Sequence, residues 1–187
     1  MEIKKESKFI KFFRRYGVLS LACVFCLVIA LVVGLTVSSG KGTPVSTGVT
    51  TFSLPMENAV IVKDYSDERL QFNESLNRWE IHLSIDLSSE NSGVFSVADG
   101  TVTAVNSNSL EGGSVEISHN GGFVSIYSSL SDNLEVAVGD KVEAGQKIGE
   151  ADSSASNESK SGTHLHFTLL KDGVEVDPNN YLDLENK

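Results

Sequence analysis

Cysteine, proline and tryptophan are all scarce in this chain of 187 residues, which has 2 Cys, 3 Pro and 1 Trp. Both cysteines, Cys23 and Cys26, lie near the start, so nothing beyond them can form a disulfide, whatever compartment it occupies. Three prolines against 16 glycines favour tight turns over Pro-rich spacers. Positive charge is short as well. A formal net charge of −10 argues against a nucleic-acid binder, which must neutralise phosphates with lysine and arginine. With 40% hydrophobic and 21% charged residues, the chain is too apolar to be disordered and too polar to span a membrane many times.

The one long hydrophobic run is at the front. Residues 1–15 carry six basic groups against Glu2 and Glu6, a net of +4, which leaves −14 for the remainder. From Gly17 to Val37 there are then 21 residues without a charge. As a helix such a run spans roughly 31 Å, the thickness of a hydrocarbon core. With the basic cluster ahead of it, the positive-inside rule predicts a cytoplasmic tail over 1–16, a transmembrane helix over 17–37 and an acidic domain across the membrane. A cleaved signal peptide is the alternative, but its apolar region usually ends after about 7–15 residues. Cys23 and Cys26 sit inside the run with no polar partner and read as lipid-facing or helix-packing residues. Ser, Thr and Gly dominate residues 38–54, which read as a flexible linker.

Beyond it, strand signals prevail: Ala59–Val62, Trp79–Leu87, Val94–Val97, Thr101–Val105, Val115–Ser118, Phe123–Tyr127, Leu134–Val138 and His164–Leu170. Asn120-Gly121 is the strongest hairpin signal, since both residues accept positive φ. Only Asp67–Asn77 reads as a short helix. About ten short strands in ~130 residues predict an all-β sandwich or a partly open barrel. The polar stretch Ala151–Gly162 precedes a histidine-bearing strand and forms a loop at the rim of any site there.

Three of the four histidines fall in two patterns, His82-Leu83-Ser84-Ile85-Asp86 and His164-Leu165-His166. Strand residues two apart share a face at about 6.6–7 Å, so His164 and His166 reach one point in front of a sheet. His82 and Asp86 share a parity, but a straight strand holds them ~13 Å apart. They meet at one ion only where the chain bends, and the small Ser84 suits a bend. Two imidazoles and a carboxylate suit zinc, with three protein ligands leaving a fourth position for water.

These segments resemble the LytM-type M23 (lysostaphin-like) metallopeptidase family, whose signatures are His-x-Gly-x-Asp, Tyr-x-His-Leu and Gly-Pro-His-Leu-His-Phe. The counterparts here are HLSID (82–86), YSSL (127–130) and GTHLHF (162–167), and the similarity runs in order from Pro55 to Leu182. The resemblance implies an M23/LytM-like antiparallel β-sandwich of duplicated hybrid-motif type over 55–187. It implies zinc held by His82, Asp86 and His166, with His164 beside it as an unligated catalytic histidine. Ser84 replaces the motif's glycine. More consequentially, Ser129 stands where the family has a second catalytic histidine. A serine hydroxyl donates a hydrogen bond but cannot carry a proton near neutral pH. His119, beside the Asn120-Gly121 turn, reads as a turn residue, and Trp79 and Tyr127 as core or groove-wall residues. Val136–Gly149 is similar to lipoyl-type hairpins but lacks an exposed lysine in the modification turn.

An anchored M23-like domain lacking a catalytic histidine is similar to the stage II sporulation protein Q group of forespore membrane proteins. That likeness implies a scaffold docking with a mother-cell protein resembling stage III sporulation protein AH, within an intercellular channel and as a ring-like oligomer. The rival readings are a zinc endopeptidase of peptidoglycan and a non-hydrolytic wall-binding module. The surplus of negative charge weighs against the last, because anionic wall polymers repel such a surface.

Overall fold

A computed structural model describes residues 52–184, and the tail and apolar run predicted over 1–37 lie outside the described residues. Twelve strands occupy this part: β1 (Val60–Lys63), β2 (Ser66–Asn73), β3 (Arg78–His82), β4 (Ile85–Ser88), β5 (Gly93–Phe95), β6 (Gly100–Asn108), β7 (Gly112–His119), β8 (Phe123–Leu130), β9 (Lys141–Val142), β10 (Lys147–Glu150), β11 (Leu165–Lys171) and β12 (Val174–Val176). Eight of them form one sheet in the order β1-β4-β11-β8-β7-β6-β9, with β12 beside the far half of β11. Strands β5 and β10 make a two-stranded ribbon, and β2 and β3 another. Every pairing is antiparallel.

Parity along the central strands decides what is core and what is cleft. Ile85 and Leu87 on β4, Val115 and Ile117 on β7, Tyr127 on β8, and Leu165, Phe167 and Leu169 on β11 are all buried in one cluster. Successive strand residues face opposite ways, so His166 and Thr168 must turn to the other face. The β5–β10 ribbon adds Val94 and Ile148 to the same core. The core also reaches further forward than the boundary expected at Pro55. Phe52 is buried and packs edge-on against Phe123 and Tyr181, and Ser53 N donates to Val97 O.

Four expectations about elements are corrected. Asp67–Asn77 is no helix: its first part is strand β2, which pairs with β3 through Phe72 opposite Trp79. Asn73 then opens a turn by accepting from Leu76 N, and Asn77 takes φ 51°, closing a hairpin that cross-strand pairing stabilises more than two turns of helix would be. Leu134–Val138 is a turn segment, anchored by Glu135 N to Ile148 O and by Ala137 N to the Asp140 carboxylate. The run Trp79–Leu87 divides into β3 and β4, which belong to different sheets. At the Asn120–Gly122 turn the positive φ values fall on Gly121 and Gly122, one residue later than the Asn-Gly pair implies.

Candidate metal centre

The break between β3 and β4 builds the site. His82 ends β3, the chain passes from the small hairpin to the main sheet through Leu83 and Ser84, and Asp86 lies on β4. This bend removes the separation a straight strand would impose, leaving His82 Nε2 and Asp86 Oδ1 3.3 Å apart. In the β4–β11 ladder His166 stands directly opposite Asp86, and its Nδ1 lies 2.8 Å from Asp86 Oδ1. His82, Asp86 and His166 are therefore brought together. A fourth group joins them: Glu158, whose ligand oxygen lies with the other three ligand atoms inside a mutual spacing of 4.8 Å. Glu158 Oε2 is 3.1 Å from His166 Nδ1.

Hydrogen-bond partners settle which ring atoms face the centre. The Asp64 carbonyl can only accept, so His82 Nδ1–H donates to it at 3.0 Å and Nε2 is turned toward Asp86. Ser84 Oγ lies 2.8 Å from His166 Nε2 and 3.2 Å from His82 Nε2. The hydroxyl at the family's glycine position thus sits behind the His166 ring and beside the centre-facing nitrogen of His82, and a partner on Nε2 fixes the orientation in which His166 presents Nδ1.

His164 lies outside the four-donor group. Its Nδ1–H donates to Gly162 O at 2.8 Å, and Nε2 faces Ser129 Oγ and Glu158 Oε2, each at 3.4 Å. Ser129 would face the core in a regular strand, since Tyr127 does. Its φ of 59° breaks the alternation at the end of β8 and re-aims the hydroxyl toward His164. That backbone region is one where histidine is enriched several-fold among non-glycine residues. His119 is committed elsewhere: Nδ1–H donates to Asp99 O at 2.9 Å and Nε2 meets Ser125 Oγ at 2.7 Å, which also touches the Tyr127 hydroxyl. Tyr127 is a core residue, its phenol pushed up to about 12 by burial, whereas Trp79 is exposed on the β2–β3 hairpin.

Charge follows this geometry. Burial pushes the His166 imidazole down, but the hydrogen bonds to Asp86 and Glu158 outweigh it and raise it to about 10. Burial likewise pushes both carboxyls up, yet their bonds to the histidines hold Asp86 and Glu158 below the usual carboxylate range. A proton on His166 Nδ1, shared by two buried carboxylates, is the place a cation would take. The donors fit zinc: ligand bonds of about 2.0–2.2 Å set neighbouring donors about 3.4 Å apart in a tetrahedron, and three of the donor pairs stand at 2.8, 3.1 and 3.3 Å with all of them within 4.8 Å. Asp86 Oδ2 is buried without a hydrogen-bond partner, the state of an atom beside a ligating oxygen rather than of a stable ion pair.

Glu158 gives no motif signal. It lies in the polar stretch Ala151–Gly162 among serines, and only its carboxylate's place beneath the histidines marks it. That segment is tied down at several points. Ser156 N and Asn157 N donate to Ser109 O and Leu110 O, Lys160 N to Ser75 Oγ, and Asn73 Nδ2 to Asn157 O. Glu158 and Asn157 line two open grooves of about 370 and 520 Å³. Glu111 and Glu175 line both.

Comparison with known proteins agrees with this geometry. Residues 80–178, which contain His82, Asp86, Ser129, Glu158, His164 and His166, match peptidase family M23. The stage II sporulation protein Q of Bacillus subtilis (strain 168) is 36% identical over 110 residues, or 57% of this chain, and the match spans 38% of that protein's length. A chain of the SpoIIQ–SpoIIIAH pore forming complex superposes with a TM-score of 0.63 at 28% identity, over 73% of this chain and 94% of that one. A zinc containing peptidase from Vibrio cholerae superposes with a TM-score of 0.53 at 28% identity, over 63% of this chain and 35% of that one. Since the family match takes in more than half of the sequence and every donor of the metal centre, the chain belongs to peptidase family M23.

Proposed function

We propose that this protein is a docking scaffold that keeps the M23 fold but has given up efficient hydrolysis. It would be anchored by residues 17–37 in the forespore membrane, with residues 55–187 facing a mother-cell partner resembling SpoIIIAH within the intercellular channel. The observation that carries the reading is Ser129. It stands beside His164 where the family pattern has the second proton carrier, and the one remaining histidine, His119, is held by Asp99 and Ser125. Losing a general acid–base group typically costs ~10²–10⁴-fold in rate. Similarity to SpoIIQ and to a chain of its complex with SpoIIIAH supports the partner class.

The hairpin β2–β3 supplies a surface for the contact. Leu70 and Phe72 on one strand and Trp79 and Ile81 on the other are all exposed, and the Phe72 and Trp79 rings stand 5.3 Å apart. A contiguous apolar ribbon of this kind marks a protein interaction site more often than a solvent face. Zinc, held by His82, Asp86 and His166, would join the hairpin to the main sheet, since His82 ends β3 while Asp86 and His166 belong to β4 and β11. When bound it would polarise a peptide carbonyl or water, the chemistry of the rival endopeptidase reading, which the retained donor set favours. Purified peptidoglycan offered to the full chain with zinc separates the two. Negligible release of soluble fragments, together with saturable binding of a SpoIIIAH-type domain, is expected; digestion at rates typical of active M23 enzymes would overturn the scaffold reading.

A further inference from the structure

We infer that Glu158 is a fourth protein donor to this metal centre, so that the bound ion closes the site and clasps the 151–162 segment across the cleft. The inference rests on His82, Asp86 and His166 holding the metal and is independent of the docking role. Its first support is geometric. Glu158 Oε2 approaches the same atom, His166 Nδ1, that Asp86 Oδ1 approaches, at 3.1 and 2.8 Å.

Electrostatics is the second support. Asp86 and Glu158 are both buried, and two neighbouring carboxylates in a low-dielectric site repel unless a cation lies between them. A divalent ion with two carboxylates and two neutral imidazoles is a neutral centre, whereas three donors without Glu158 leave a net charge of +1 buried. Asp86 Oδ2, buried and unpartnered, belongs to the same cluster.

The third support is that the carboxylate is positioned from both sides. Lys63 Nζ on β1 lies 3.6 Å from Glu158 Oε1, leaving Oε2 for the histidines. Its segment is fixed by backbone bonds to Ser109 and Leu110 and by the Ser75 hydroxyl. Four protein donors are the mark of a structural zinc site, while catalytic sites keep one position for water. Glu158 therefore removes the position that hydrolysis needs and ties the loop to the β-sheet instead.

The test uses the full chain in detergent, with zinc affinity from chelator competition, the visible spectrum of the cobalt-substituted protein, and trypsin cleavage after Lys160. The unmodified protein is expected to take up one zinc, to show the intense cobalt band of a four-coordinate site, and to be protected at Lys160 by zinc. Glu158→Ala should weaken zinc at least about tenfold, the lower bound even for outer partners of metal ligands, alter the cobalt band and abolish the protection. Glu158→Gln, which keeps the shape of the side chain, guards against a folding artefact and should likewise weaken zinc and shift the band. Zinc affinity and cobalt spectrum unchanged in both variants, while His82→Ala loses the metal, would overturn the Glu158 assignment alone. No zinc uptake by the unmodified chain would overturn the metal reading and this inference with it.

Discussion

Replacing Ser129 by histidine returns an imidazole to the cleft beside His164. The backbone there already has φ 59°, which histidine accepts, and the position opens on the groove of about 370 Å³ shared with Glu111, Glu158 and His166. The added ring would extend into that groove. A proton carrier is worth ~10²–10⁴-fold, or about 3–5 kcal/mol of transition-state stabilisation at 1.36 kcal/mol per decade. That gain is blocked if Glu158 occupies the fourth metal position. Ser129→His alone and Glu158→Ala alone are each expected to raise peptidoglycan hydrolysis by less than about tenfold, and the double variant by at least about a hundredfold. The assay is release of soluble fragments from purified peptidoglycan at excess zinc, so that weaker affinity in Glu158→Ala does not mask the result. A hundredfold gain from Ser129→His by itself would show that Glu158 does not obstruct the site. An inert double variant with zinc bound would refute the idea that these two residues are what hold hydrolysis down.

Three further outcomes follow from other parts of the structure. His82→Ala or His166→Ala should abolish zinc binding, while His164→Ala, outside the donor group, should leave it largely in place; equilibrium dialysis decides, and the opposite pattern would exchange the roles of His164 and His166. Trp79→Asp, at an exposed position on the hairpin, should weaken capture of a SpoIIIAH-type domain by roughly 30-fold, the scale of an interface hot spot of about 2 kcal/mol, with Tm unchanged. His119 contributes a pH dependence of known sign. Burial lowers its pKa against the opposing hydrogen bond to Asp99 O, so the unfolded chain binds the extra proton first. Stability from this group is complete above the unfolded value of about 6.5 and is lost as pH falls below it. Denaturant midpoints measured from pH 7 to pH 5 should fall less steeply in His119→Gln than in the unmodified protein.

Much of the cleft was legible because its residues are close in sequence. His164 and His166 share strand parity, and Asp86 lies four residues from His82, so the spacing marks both pairs as candidates, although only a bend between His82 and Asp86 lets that pair meet. The serine at position 129 was legible too, since YSSL departs from the family's Tyr-x-His-Leu at one residue. The β2 strand was not: the apolar residues of Ser66–Asn73, Leu70 and Phe72, stay exposed, and the segment is a strand because β3 pairs with it, a non-local cause that no local pattern reports. Glu158 was hidden for a similar reason. Nothing in a serine-rich stretch distinguishes a buried carboxylate from a solvated one.

What the sequence by itself determined is the identity and spacing of the chemical groups: an acidic β-rich domain, two histidine motifs that coincide with the M23 pattern, and an alcohol in place of an imidazole. These are local properties, carried by residue type and by the period-2 geometry of strands. The tertiary structure alone decided which groups share a point in space. The switch of sheets between His82 and Asp86, the register that sets His166 opposite Asp86, and the burial of Glu158 beneath both histidines are products of long-range strand pairing. Convergence of this kind depends on contacts between residues as many as 82 positions apart, and a one-residue slip in that register would have turned His166 into the core.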